Sequence, residues 1–201
     1  MKRAWMAVPL LFAASGCGYN RIQQLDEQAN GAQGQIEVQL QRRADLIPNL
    51  VQTVKGYAQH EETVFTQVAQ ARAGVMGAVQ SHDPEAMANA NAQMTGALGR
   101  LIAVAEAYPQ LKADAQFTRL MDELAGTENR IAVARGDYNQ AAQEYNTYIR
   151  QFPQTLTAKV TGAKARKYFN VTTPGAREAP TVDFSRPAAP GAGATAATKR
   201  P

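Results

Sequence analysis

Histidine, serine and cysteine are nearly missing from this 201-residue chain, which has two, three and one of them. A lone cysteine closes no internal disulfide. Cys17, His60 and His82 lie too far apart for any usual zinc spacing, so no structural metal is expected. Ser81 and Ser185 fall in turn or tail contexts without G-x-S-x-G, which removes the serine hydrolases. His60-Glu61 has no second histidine to complete H-E-x-x-H. Thr161-Gly162-Ala163-Lys164 is a faint echo of a phosphate loop with no buried strand before it. Glu61-Glu62 and Asp122-Glu123 are adjacent pairs that point about 100° apart on a helix, so neither converges on a substrate bond. Met76, Met87, Met94 and Met121 at helical spacing fit core filling better than haem or copper ligation. The chain is expected to be no enzyme and to carry no cofactor.

Basic clusters are scarce as well. The formal charge is +4, but Lys2 and Arg3 supply two of the positives, leaving +2 for the remainder. No run of Lys and Arg is interleaved with aromatics, so nucleic acid is not an expected partner.

What the chain does have begins at its N-terminus. Lys2 and Arg3 precede an uncharged apolar stretch from Ala4 to Ala14, the layout of a secretory signal. The stretch falls short of the about 20 apolar residues that a spanning helix needs. Ala14-Ser15-Gly16-Cys17 resembles a bacterial lipobox, with Ala14 where a leucine is usual. That likeness makes residues 1–16 a lipoprotein-type signal peptide and Cys17 the lipidated residue. Two or more acyl chains, at about 0.8 kcal/mol per buried CH₂, would make a stable anchor.

From Tyr19 to Phe152 apolar residues recur every three or four positions, and this predicts helices throughout. Ile22, Leu25, Ala29, Ala32, Ile36 and Leu40 form a first stripe. Ile47, Val51, Val54, Ala58, Val64, Val68, Ala71, Val75 and Val79 form a second. Asp45 before Leu46-Ile47-Pro48 reads as an N-cap with proline in the first turn, dividing the first helix from the second. Asp83-Pro84-Glu85 repeats that logic and starts a third helix, with Met87, Ala90, Met94, Leu98, Leu101, Ile102 and Ala105 on its apolar face. Tyr108-Pro109 ends it. A fourth runs from about Leu111 to Arg150 along Phe117, Leu120, Met121, Leu124, Ile131, Ala134, Tyr138, Ala141, Tyr145 and Ile149. Gly126 and Gly136 within it mark expected bends or close packing.

Helices of about 24 to 40 residues make rods of roughly 35 to 60 Å, and short connections turn neighbours antiparallel. The expected fold is therefore all-α: an antiparallel up-and-down four-helix bundle over residues 17–152, with long helices. Residues 153–185 read as an irregular extension, with Tyr168-Phe169 and Val182-Asp183-Phe184 docking on the bundle. Residues 186–201 are low-complexity and read as a disordered tail.

Two groups of polar residues draw attention. Arg42, Arg43, Asp45 and Asn49 crowd the expected first junction. There they serve as hairpin architecture through capping and ion pairing, or they receive an acidic partner segment or lipid phosphate. On the fourth helix Tyr138-Asn139 and Tyr145-Asn146 repeat at seven residues and so share a face. Such residues set register at a core edge or form an interaction surface.

The stretch IEVQLQRRADLIPNLVQTVKGYAQHE from Ile36 to Glu61 resembles a signature of the LemA family, and TENRIAVARGDYNQAAQEYN from Thr127 to Asn146 resembles a second one. GCGYN after the signal and REAPTVDF from Arg177 to Phe184 are similar to lipoprotein members of that family. The resemblance implies a helical bundle of bromodomain-like topology, tethered to a bacterial membrane, without an established enzymatic activity or catalytic residues. It marks Arg42, Arg43, Asp45, Asn49, Lys55, Arg130, Arg135 and Asn139 as candidate interaction residues. The reading that follows is a non-enzymatic scaffold or adaptor of the cell envelope, anchored at Cys17 with its body on the periplasmic side and bound to an unidentified envelope protein. The alternative is a lipoprotein holding a small apolar or anionic ligand between helices. Homo-oligomerisation stays open, because bundle cores and helix interfaces use the same residue types.

Overall fold

The computed structural model describes residues 7–171, with side chains described from Gly18 onward. The removal of residues 1–16, lipidation of the Cys17 thiol, docking of Val182-Asp183-Phe184 and the tail from 186 lie outside what is described. Among the described residues the fold is all-helical. Its elements are α1 (Ala7–Lys55), α2 (Glu62–Ser81), α3 (Pro84–Glu106), α4 (Pro109–Lys112), α5 (Ala115–Tyr148) and α6 (Gln154–Thr161).

At 1.5 Å per residue, α1 is a rod of about 73 Å. Helix α5 runs back along it: Tyr57 meets Asp114, Arg43 meets Glu128, and Ile22 shares a cluster with Tyr145 and Ile149. Helices α2 and α3 pack on one another, and α2 also lies against α1. The main core takes Ile36, Leu40, Ile47, Leu50 and Val54 from α1, Phe65 and Val68 from α2, Met87, Met94 and Leu101 from α3, and Leu120, Leu124 and Ile131 from α5. Each such large side chain contributes about 1.5–3 kcal/mol through burial. A smaller cluster of Ile22, Leu25, Tyr145, Ile149 and Ala158 joins the start of α1 to the end of α5 and to α6.

The expected break at Asp45 is not there. Helix α1 passes through Pro48 without interruption, and Asp45 caps nothing; its Oδ1 accepts a bond from Gln41 Nε2 at 3.0 Å. Proline cannot donate to the carbonyl four residues back, which here belongs to the fully buried Ala44. Arg72 of α2 supplies the missing donor, with Nε 2.9 Å from the Ala44 oxygen. The real break lies between Lys55 and Glu62, around Gly56. The apolar phase could have revealed this, since Leu40, Ala44, Ile47, Val51 and Val54 keep the 4, 3, 4, 3 rhythm straight across the supposed boundary.

Other boundaries match the reading. Asp83 caps α3 by accepting from Glu85 N at 3.0 Å, with Pro84 in the first turn. The chain leaves α3 just before Tyr108-Pro109. The expected fourth helix is divided into α4 and α5, because Asp114 makes its own N-cap to Phe117 N at 2.9 Å. Ala142, not Ala141, occupies the seam between Tyr138 and Tyr145. Gly126 and Gly136 mark no close approach, since a Cβ at either would meet nothing within 4 Å. Residues 153–185 are not wholly irregular either: 154–161 form α6, and the extended chain after it docks through the buried Phe169.

Candidate functional site

The densest polar construction joins α5 to the extended segment that follows Gly162. Asn146 grips the main chain of Arg166 twice, accepting from its N–H at 2.7 Å and donating Nδ2 to its carbonyl at 2.9 Å. Asn139 treats Phe169 the same way, at 2.8 and 3.4 Å. The match follows from two pitches. Seven helical residues rise about 10.5 Å, and three extended residues span about 10 Å. Two asparagines a heptad apart therefore meet residues three apart on a chain running the opposite way. Between them the buried Tyr138 hydroxyl donates to the Lys167 carbonyl at 2.7 Å, and burial raises its pKa.

The side chains of this strap reach other elements. Arg166 bonds Asp26 Oδ1 through Nε and Nη2 at 2.9 and 2.8 Å, donates to Asn30 Oδ1 at 2.7 Å, and lies 5.6 Å from the centre of the Tyr145 ring. Burial raises the Tyr145 pKa, and the Asp26 charge adds to that. Lys167 Nζ sits 2.7 Å from Asp83 Oδ2, at the start of α3. That bond, with the Glu85 amide, holds the Asp83 carboxyl below the usual carboxylate range, and the Lys167 ammonium is raised in return. The strap thus ties α1, α3 and α5 together.

A second centre is Arg43, 4% exposed at the meeting of α1, α3 and α5. Its Nη1 donates to Asn91 Oδ1 at 2.6 Å and pairs with Glu128, and Nη2 reaches Thr95 Oγ1 at 3.2 Å. Its Nε has no partner. Burial lowers the guanidinium pKa and Glu128 works against that. Arg43 is therefore an internal tie and is unavailable to an outside ligand.

The remaining candidates scatter. Arg42 pairs with Glu123 at 3.4 Å, and Arg119 pairs with the same carboxylate at 3.3 Å. Arg42 and Arg130 line one open groove of about 420 Å³ with Arg119, Asp122 and Glu123. Because α1 continues to Lys55, Arg42 and Arg43 lie within the rod and not at a hairpin end. Asn49 is exposed and its carbonyl accepts from Thr53 Oγ1 at 3.0 Å. Lys55 Nζ lies 5.3 Å from the Phe65 ring centre. Arg135 is exposed on α5. Asn139 alone takes part in the strap. The sequence reading missed Arg166, Lys167 and Asp26; the heptad Tyr-Asn repeat was the visible signal, but its partner was an irregular segment without periodicity.

Fold and site define a class: an all-helical protein of long rods, closed by a C-terminal strap gripped through its main chain. The chain belongs to the LemA family, whose sequence profile matches residues 32–184. It is similar to the magnetosome proteins MamQ 1 and MamQ 2 of Paramagnetospirillum magneticum, each 31% identical over 174 residues, covering 75% of this chain and 64% of theirs. Magnetosome protein MamQ of Magnetospirillum gryphiswaldense is 29% identical over 175 residues, covering 76% and 64%. The chain thus spans somewhat less than two thirds of the length of these relatives.

Proposed function

We propose that this protein is a membrane-associated, non-enzymatic scaffold of the bacterial cell envelope, with its helical body on the periplasmic side. In this reading α1, α2, α3 and α5 form an antiparallel up-and-down bundle of bromodomain-like topology. Residues 1–16 are a signal peptide, and a lipid on Cys17 holds the body at the membrane. One observation carries the proposal: position 17 lies within α1, which runs without a break from there to Lys55 in the main core. An anchor at its start is coupled rigidly to the whole body. LemA membership and the MamQ relatives support membrane association. No described helix is long and apolar enough to cross a membrane.

The exposed polar surface of α1 and α5, including Arg42, Arg130 and Arg135, is the face for an envelope protein partner. A second reading, binding of a small ligand between helices, is favoured by the open groove of about 400 Å³ between α1 and α5 lined by Arg21, Leu25 and Tyr148. Cys17→Ser tests the anchor. Loss of lipid mass and of membrane fractionation is the expected result; an unprocessed variant that stays in the membrane fraction would replace the lipid with a retained signal segment. Crosslinking in cells with Arg42→Glu/Arg130→Glu tests the scaffold: a specific envelope protein is captured by the wild type and lost from the variant, and capture unchanged by the variant refutes this face.

A further inference from the structure

Helix α6 has two opposite faces, and only one is explained by the fold. Ala158 is buried against the start of α1. Leu156 and Val160, four apart and so on one side, point away from it and are 55% and 89% exposed. Phe152, two residues before the helix begins, is 81% exposed. Leu156 and Val160 thus lie bare on one side of α6, and Phe152 lies bare just before its start. Charge along this stretch of chain is of one sign. Between Glu144 and Glu178 the sequence has no acidic residue, and Arg150, Lys159 and Lys164 are exposed and form no ion pair with another described residue. The location matters most: a Cβ on Gly18 would lie 3.8 Å from both Gln154 Cγ and Thr157 Oγ1. Helix α6 therefore lies against α1 one residue beyond Cys17.

We propose that α6 is an interfacial helix that lies on the bilayer, with Phe152, Leu156 and Val160 among the acyl chains and Arg150, Lys159 and Lys164 at anionic headgroups. An apolar face bordered by basic residues is what such a surface binds, and their long stems let the charges stay at headgroup level. This rests on the membrane tether proposed above, and it holds whether the anchor is a lipid on Cys17 or a retained N-terminal segment, since both end beside Gly18. The contact would fix the orientation of α1 relative to the membrane, which a single point of anchorage does not.

The test uses the full chain purified from bacterial membranes and reconstituted in phosphatidylcholine–phosphatidylglycerol vesicles with brominated acyl chains. Trp5, the only tryptophan, is changed to Phe, and a reporter is added as Leu156→Trp or, as a control, Val133→Trp, a 65% exposed site in mid-α5. The expected result is that both variants float with the vesicles, Leu156→Trp loses most of its emission to bromine and Val133→Trp keeps it. Reversing charge with Arg150→Glu, Lys159→Glu and Lys164→Glu should restore emission at 156. Flotation with an unquenched reporter at 156 overturns the α6 contact while leaving the tether standing. If that emission is also blue-shifted, a protein segment covers the face instead. Failure of both variants to float overturns tether and contact together.

Discussion

Replacing Arg72 by Met keeps most of the side-chain volume and deletes the Nε donor that serves the Ala44 carbonyl. That carbonyl is buried and, because position 48 is proline, has no amide to turn to. Loss of a hydrogen bond from a charged donor costs about 1.5–3 kcal/mol, so Arg72→Met should destabilise by roughly 2 kcal/mol. Pro48→Ala restores a backbone N–H that closes the helical bond to Ala44 and removes the clash of the ring, a change favouring the helix by up to about 3 kcal/mol. In that background Arg72→Met loses its reason to hurt and should cost about 0.5 kcal/mol, leaving a coupling of about 1.5 kcal/mol between two residues on different helices. Urea unfolding followed by far-ultraviolet circular dichroism, with all four proteins at equal m-value, measures it. If Arg72→Met costs the same with proline and with alanine at 48, Arg72 is only a packing residue and the account of how α1 tolerates its proline is wrong.

Other expectations follow from the caps, the strap and the buried arginine. Asp83→Ala should cost about 1 kcal/mol as a lost N-cap, while Asp45→Ala, which caps nothing, should stay within about 0.5 kcal/mol; equal losses in urea melts would contradict the boundaries of α1 and α3. Asn146→Ala should abolish hydrogen-exchange protection of the Arg166 amide and destabilise by about 1–3 kcal/mol, and Asn139→Ala should do the same at Phe169; protection that survives both changes refutes the clamp. Glu128→Ala removes the half-exposed charge partner of the buried Arg43 and should cost about 1.5–3 kcal/mol, with the smaller loss falling on Arg43→Met; the reverse order of melting temperatures would sink that reading. Asp83 has a lowered folded pKa and Lys167 a raised one. Their contribution is therefore full between about pH 4 and pH 10, is lost as pH falls through the depressed Asp83 value, and is lost again as pH rises through the Lys167 value. Amide protection in the strap, taken relative to the unstructured exchange rate at the same pH, should fall at both limits and lose its acid limb in Asp83→Asn.

The helical body was legible because burial repeats at helical spacing, and nearly every residue placed on a stripe is in the core. Ile102, 36% exposed, and Ala141, displaced by Ala142, are the small departures. The failures had a common physical origin. Asp45-Leu-Ile-Pro48 and Asp83-Pro84 carry the same local cap signal, and only tertiary context separates them: Arg72 repairs the first, whereas nothing keeps α2 going past His82, whose φ of 53° ends it. The candidate site was legible on one side only. Tyr138-Asn139 and Tyr145-Asn146 show their heptad openly, but the strap they hold contributes main-chain atoms, and these have no letter in a sequence. Arg43 looked like a surface cation because its partners, Asn91, Thr95 and Glu128, come from helices 48 to 85 positions away.

The clamp on the strap also sets which changes this part of the molecule can absorb. Asn139 and Asn146 touch only N–H and C=O groups, so residues at 168 and 170 are free to differ in chemistry. Length is another matter. One residue inserted or removed between Arg166 and Phe169 would put the two grips out of step by about 3.3 Å. The joint is permissive to substitution and closed to insertion, much as a ratchet accepts any material for its teeth but only one spacing.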